Sequence, residues 1–264
     1  MSEFSLRPRS LGASESAEGK TLAHFLLKLR NHIGVLEDVS SVAGRNSVNI
    51  LSGFHEAPVG SDASWSFFAD MTDAKLSADR LADEFSKLPS VLEVKFRVTS
   101  SGFIADAFHF PVRLGTRPLV MFSVDSMISI FRHMKEMLGD KVADVLIHQM
   151  GISAGEGIYR GFEIRFGKGA SREALEEFLH SVRASGWGCE TLKALNVENS
   201  NAVIEFTHSA ECSSYSHEAT PQSQFIRGTY SGFFSGFFGK HIDADEVRCV
   251  AKGDPACEFA LNPR

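Results

Sequence analysis

A chain of 264 residues, 43% hydrophobic and 23% charged, can bury a core without disulfide support and suits two modest domains better than one large one. Its apolar runs fall far short of the ~18–20 residues of a membrane span, and a net charge of −6 with no basic run longer than a scattered pair leaves no electrostatic footprint for nucleic acid, so neither membrane nor direct nucleic-acid contact is expected. Four cysteines, Cys189, Cys212, Cys249 and Cys257, are too few and too C-terminal for a disulfide scaffold; they suit thiols or thiolate ligands in a reducing, cytoplasmic compartment.

Residues 1–20 mix Ser, Glu, Arg, Pro and Gly without an apolar core and read as a disordered tail. Residues 21–29 (TLAHFLLKL) run apolar like a strand, and Asn31 to Gly34 break it. Val35, Leu36, Val39 and Val42 then recur at helical spacing up to Gly44. Residues 47–51 and 64–71 read as strands; Ser77 caps a helix carrying Leu81, Phe85 and Leu88, Pro89 ends it, and residues 91–98 supply a last strand. Strand, helix, strand, strand, helix, strand is the order of the ferredoxin-like split unit, with both helices on one face of an antiparallel sheet. Residues 21–100 with this order and the turn Ile33, Gly34, Val35, Leu36 resemble an ACT domain. The resemblance implies a regulatory domain in which those four residues contact an effector amino acid. A turn glycine between strand and helix also has a purely geometric explanation.

Residues 101–118 read as a connector punctuated by Pro111, Gly115 and Pro118, in which Phe103, Phe108 and Phe110 suggest docking onto a domain. Beyond it the period is helical: Met127, Ile130, Phe131, Met134 and Leu138 share a face, and a new element starts at Gly139-Asp140 with Val142, Val145, Leu146 and Met150. Small residues from Gly151 to Gly157 let another backbone or a ligand approach closely. Ser171 caps a helix with Leu175, Phe178, Leu179 and Val182 facing inward. Strands follow at 189–197 and 202–208. Residues 222–240 form a helix with Phe225, Thr229, Gly232, Ser235 and Gly236 along a small-residue stripe and Phe233, Phe234, Phe237 and Phe238 on the remaining surface. A hairpin of residues 243–251 and 257–261 turns at Lys252-Gly253-Asp254-Pro255. Phe occurs 22 times against 3 Tyr and 2 Trp, so the aromatic surface packs or lines apolar space.

The helix segment Phe225-Ile226-Arg227-Gly228-Thr229-Tyr230-Ser231-Gly232, the strand Glu246-Val247-Arg248-Cys249 and the run Gly253-Asp254-Pro255-Ala256-Cys257-Glu258-Phe259, with Leu138-Gly139 and the glycines 151 and 155 upstream, make residues 119–264 similar to the 4-vinyl reductase domain. The whole chain is then α+β: an N-terminal ferredoxin-like, ACT-type domain followed by a mixed helix and antiparallel-sheet domain. The resemblance implies a ligand-sensing regulatory protein, not an enzyme, that encloses a small apolar or aromatic molecule. Candidate lining residues are Phe225, Tyr230, Phe233, Phe234 and Phe237, with Tyr159 and Trp187 for polar contacts. It also implies a structural zinc held by Glu246, Cys249, Cys257 and one further Cys. The position that usually carries that Cys is Ser223 here; Cys212 is the substitute, with His217 and His208 as rivals, and two buried free thiols are the alternative without metal. Glu246 and Cys249, three apart on a strand, point to opposite faces unless a bulge intervenes.

A homodimer is expected, through helix residues 228–236 or the N-terminal sheet, and with no helix-turn-helix or ATPase motif an output would pass through a partner regulator protein. No dinucleotide fingerprint, phosphate loop or nucleophile with a positioned base can be named. The alternatives are an enzyme or accessory protein in tetrapyrrole vinyl reduction, and a dimeric structural adaptor related to vesicle-tethering subunits.

Overall fold

The computed structural model of the chain describes residue 8 and residues 10–114, 117–169 and 171–264, which fall into two units, Met1–Val120 and Met121–Arg264. Among the described residues no helix is long and apolar enough to cross a membrane.

The N-terminal unit runs β1 (Ser14–Ser16), β2 (Leu22–Leu29), α1 (Val35–Arg45), β3 (Asn49–Glu56), β4 (Ala63–Asp70), α2 (Ala78–Ser86), β5 (Val91–Thr99), β6 (Phe103–Ala105), β7 (Arg113–Leu114) and β8 (Arg117–Pro118). Its main sheet has the order β3-β4-β2-β5 with every neighbour antiparallel, the strand arrangement of the split unit. Successive strand side chains alternate between faces. Ala23, Phe25, Leu27 and Leu29 of β2 therefore share one face and meet Val39 and Val42 of α1 and Leu81 and Phe85 of α2. Phe25, Phe67 and Phe85 form the centre of that core, with Phe85 edge-on to both other rings. The other face of β2 presents Leu22, which packs with Phe68 and Ile104 of β6. A central strand that is buried on both sides explains why residues 22–27 read as an apolar run and not as a clean alternation.

Two boundaries differ from the sequence expectation. Residues 14–16, assigned by composition to a disordered tail, pair antiparallel with residues 103–105, assigned to a connector, in the register Ser14↔Ala105. The pairing rests on backbone groups of a polar Ser-Glu-Ser segment, which a hydrophobicity pattern cannot register. The rest of the tail assignment, residues 1–7 and 9, lies outside the described residues. Strand β3 also continues past residue 51 to Glu56, because Gly53, which looked like a break, is required there: a Cβ would run into the Ser66 carbonyl of β4.

The C-terminal unit runs α3 (Val124–Leu138), α4 (Asp140–Phe166), α5 (Arg172–Ala184), β9 (Cys189–Asn196), β10 (Asn201–Thr207), α6 (Gln224–Phe238), β11 (Ile242–Arg248) and β12 (Cys257–Pro263). Its sheet has the order β11-β12-β10-β9, antiparallel throughout. Ser123 and Ser171 accept from the backbone N–H three residues on and so cap α3 and α5. Helices α4 and α6 interlock at their backbones. A Cβ at Gly151 or Gly155 would strike the carbonyl of Phe225 or Thr229, and one at Gly228 or Gly232 would strike that of His148 or Ile152. The small-residue stripe of α6, expected as a dimer surface, is thus taken up by α4 of the same chain. Phe233 and Phe234, expected on the remaining surface, are buried, because that side of α6 faces the sheet core with Ile204, Phe206 and Phe259.

Candidate ligand cavity and metal cluster

Between α4, α5, α6 and the strands β9 and β10 lies a cavity of about 130 Å³. Rings of Phe178, Trp187, Phe206, Phe225, Phe233 and Phe234 contribute most of its wall, with Ala154, Ile158, Leu179 and Val182 between them. Besides Thr229, whose hydroxyl donates to the Phe225 carbonyl, two unpaired polar groups enter this apolar wall. Glu190 of β9 is 3% exposed and neither carboxyl oxygen has a hydrogen-bond partner. Burial pushes its carboxyl up to about 7. The hydroxyl of Tyr230 on α6 is likewise buried and unpaired, and burial raises its pKa well above the ordinary phenol value. Unpaired buried polar atoms are costly and uncommon, and two of them share this one apolar cavity.

Of the lining candidates taken from the sequence, Trp187, Phe225, Tyr230, Phe233 and Phe234 reach the cavity; Tyr159 and Phe237 lie outside its wall. The Tyr159 ring packs on Gly236, and its hydroxyl lies 3.3 Å from Glu163 on the same helix. Phe237 stacks into the aromatic group of Phe233, Phe234 and Phe238 one turn further along α6. Phe178, Phe206 and Glu190 were missed. Glu190 carries the one readable signal, a carboxylate on the inward side of a strand that alternates with Leu192.

Around the start of α6 a second group forms. One atom each from Cys212, Glu246, Cys249 and Cys257 lies within 4.8 Å of all the others, a set able to hold a metal ion. The hairpin supplies three of them. β11 shifts register against β12 between Glu246 and Arg248, and this bulge turns Glu246 to the side of Cys249. At the tip the Cys249 N–H donates to Asp254 Oδ2 at 2.8 Å, and Gly253 takes the left-handed conformation (φ 101°) that the turn needs. The fourth comes from the loop before α6. Glu211 there accepts the backbone N–H groups of Phe225 and Ile226 at 2.8 and 3.0 Å, occupying the positive end of α6. That contact places the next residue, Cys212, with its Sγ 3.7 Å from Cys249 Sγ and 3.9 Å from Cys257 Sγ. Ser223 borders the cluster and orients it: its Oγ–H donates to Glu246 Oε1 at 2.8 Å and its N–H to Oε2 at 3.1 Å.

The charges in this cluster compete. Hydrogen bonds from Cys249 and Cys257 pull the Cys212 thiol down to about 4, while the same contact with Cys212 drives Cys257 far upward. Burial, then the neighbouring Cys249, pushes Glu246 up to about 8. Burial and the crowding of sulfurs and carboxyl therefore oppose ionising the whole cluster at once. The rivals for the fourth position are elsewhere: His208 and His217 are exposed and absent from the cluster.

The segment that carries α6, the bulged strand and the Gly-Asp-Pro turn is also the part that a family model recognises. Residues 202–263 match the 4-vinyl reductase (V-4-R) domain. The V-4-R match includes Ser223, Glu246 and all three clustered cysteines, together with the helix α6 that walls the cavity. Solved structures with similar folds include the phenol-responsive sensory domain of the transcription activator PoxR with phenol (TM-score 0.50, 20% identity, 58% of this chain and 80% of that one). Two others are a vinyl-4-reductase family protein from Methanocaldococcus jannaschii (TM-score 0.36, 15% identity, 55% and 98%) and a trafficking protein particle complex subunit 3 from Naegleria fowleri covalently bound to palmitic acid (TM-score 0.42, 13% identity, 53% and 95%). No curated protein matches the chain.

In the N-terminal unit, Gly34 precedes α1 in the left-handed conformation (φ 91°) with open space around it. Ile33 is fully exposed and Leu36 partly so, while Val35 is buried in the core. The geometric reason for the glycine therefore holds by itself.

Proposed function

We propose that the C-terminal unit is a sensory domain for a small aromatic molecule bearing a hydrogen-bonding substituent. The observation that carries this reading is the cavity: about 130 Å³, walled by aromatic rings, with Glu190 and Tyr230 as its unpaired polar groups. Dry apolar cavities of roughly 150 Å³ take up a benzene ring, so the volume suits one six-membered ring. A hydroxyl or amino substituent would then satisfy Glu190 or Tyr230. The PoxR sensory domain, which shares the fold, is phenol-responsive. Sensing needs binding without turnover, and the cavity wall contains no nucleophile next to a base.

The same reading gives the cysteine cluster a structural zinc held by Cys212, Cys249, Cys257 and Glu246. Zinc–sulfur bonds of ~2.3 Å in a tetrahedron put sulfurs ~3.8 Å apart, and the two Cys212 separations, 3.7 and 3.9 Å, fit. A divalent cation also supplies the charge that lets three thiols and a carboxyl ionise together. Four protein ligands leave no open position, so the ion would secure the start of α6 against the hairpin.

Thermal unfolding of the full chain with phenol, other single-ring aromatics and palmitate tests the ligand class. A single-ring ligand at ~100 times its Kd should add ~3 kcal/mol to stability, and Trp187→Ala should abolish that gain. Stabilisation by palmitate alone would sink the proposal.

A further inference from the structure

A second cluster lies in the N-terminal unit, on the sheet face away from α1 and α2. His24 of β2 sits there fully buried, 0% exposed, stacked on Phe68 at 4.3 Å between ring centres and flanked by Phe108 at 4.8 Å. Its Nε2 lies 2.8 Å from Ser66 Oγ. Its Nδ1 has no hydrogen-bond partner, and the closest charged atom, Asp106 Oδ1, is 3.9 Å away, beyond hydrogen-bonding reach. Asp106 and His109 belong to the segment that follows β6. Asp106 is anchored by its N–H to the Ala13 carbonyl, and its Oδ2 lies 2.7 Å from His109 Nδ1. One ligand atom from each of His24, Asp106 and His109 falls within 4.8 Å of the other two.

A buried neutral imidazole carries one N–H. Ser66 Oγ engages Nε2, and in the tautomer that carries its N–H there, Nδ1 is a bare lone pair facing Asp106 and His109. Metal-binding histidines are prepared in this way, with one ring nitrogen hydrogen-bonded to an oxygen so that the other faces the ion. A hydrogen-bonded histidine–carboxylate network alone leaves the His24 nitrogen without a protein partner; a cation gives it one. Two imidazoles and one carboxylate suit a borderline first-row divalent ion, and zinc foremost. Arg97, paired with His24 across the sheet, opposes a cation; it is exposed to solvent, which screens its charge, and its guanidinium donates to the Ala105 carbonyl.

We infer that His24, Asp106 and His109 form a second metal site, for a divalent transition ion of the zinc type, with Ser66 as the residue that positions His24 and a fourth coordination place left to water. The site fastens the segment after β6 to the central strand of the sheet. It is independent of the cysteine cluster, which differs in donor chemistry.

Cobalt(II) binding to the full chain, without an affinity tag, separates the two. Sulfur ligands give cobalt a thiolate charge-transfer band, whereas a histidine–carboxylate set gives only ligand-field bands. We expect the wild type to bind one cobalt ion that adds nothing to the sulfur band of the cysteine cluster, its loss in His109→Ala with that sulfur band unchanged, and a 10–100-fold weaker affinity for it in Ser66→Ala. His109 is on the covering segment and partly exposed, so its replacement leaves the core intact. If every bound cobalt reports through the sulfur band, or if His109→Ala and His24→Gln bind as many ions with the same affinity as the wild type, the inference is overturned.

Discussion

Replacing Glu190 with Gln separates the charge of the cavity carboxyl from its shape. Glu190 titrates at about 7 in the fold against an ordinary value of 4.5, chiefly because burial penalises its ionised form. Below 4.5 the carboxyl is protonated in folded and unfolded chains alike and its charge costs nothing. As pH rises, the unfolded chain releases the proton while the fold retains it, so stability falls through this window and levels off above 7. That gap corresponds to about 3 kcal/mol, and with the side chain 3% exposed little is lost to solvent screening. The replacement amide cannot ionise, and being unpaired itself it adds an offset that does not vary with pH. Urea unfolding of both proteins, free of ligand, at intervals between about pH 4.5 and pH 8 gives the difference directly. Glu190→Gln should gain about 3 kcal/mol on the wild type across that range, while contributions from the cysteine cluster and His24 cancel between the two. A difference that stays flat with pH would refute the placement of Glu190 as an unpaired, buried carboxyl.

With zinc in the cysteine cluster as proposed, Cys212→Ser should release it and lower stability by several kcal/mol, on the order of 10 °C in melting temperature. Because Ser223 Oγ lies 3.0 Å from Cys212 Sγ, the pair Cys212→Ser with Ser223→Cys should recover one zinc per chain by metal analysis. Gly232→Ala should cost ~1–3 kcal/mol by forcing α6 off α4. Gly157→Ala, on α4 but with no neighbour closer than 3.7 Å, should be neutral or stabilising by up to ~1 kcal/mol in the same melting assay.

The extent to which the sequence disclosed this site follows from how local each signal is. The Gly-Asp-Pro turn and its flanking cysteines are neighbours in the chain, so spacing alone places Cys249 and Cys257 together, and Glu246 needed only the bulge that the Glu246–Arg248 shift provides. Cys212 depends on a distant event, the docking of Glu211 on the first turn of α6. No periodicity encodes that contact. The same holds for the cavity: Phe225, Phe233 and Phe234 lie on one helix and could be grouped from the sequence, while Phe206, Phe178 and Glu190 join them only once sheet and helices are folded together. The glycines at 151, 155, 228 and 232 announced a close backbone approach, yet spacing is silent on whether the partner is another copy or another helix of the same chain.

That approach has a mechanical consequence. Where carbonyl oxygens sit against glycine α-carbons on both sides, neither helix can rotate or slide without a collision, so α4 and α6 respond to force as one beam. The cavity wall is therefore fixed along Ala154, Ile158 and Thr229, while α5 contributes Phe178, Leu179 and Val182 from outside that interlock. Helix α5 is held to β9 partly by guanidinium groups, Arg172 to the Leu192 carbonyl and Arg183 to the Glu190 carbonyl, which can be exchanged for water. On the proposed reading, a ligand in the cavity would press on α5 and β9 before it pressed on the interlocked α4–α6 pair.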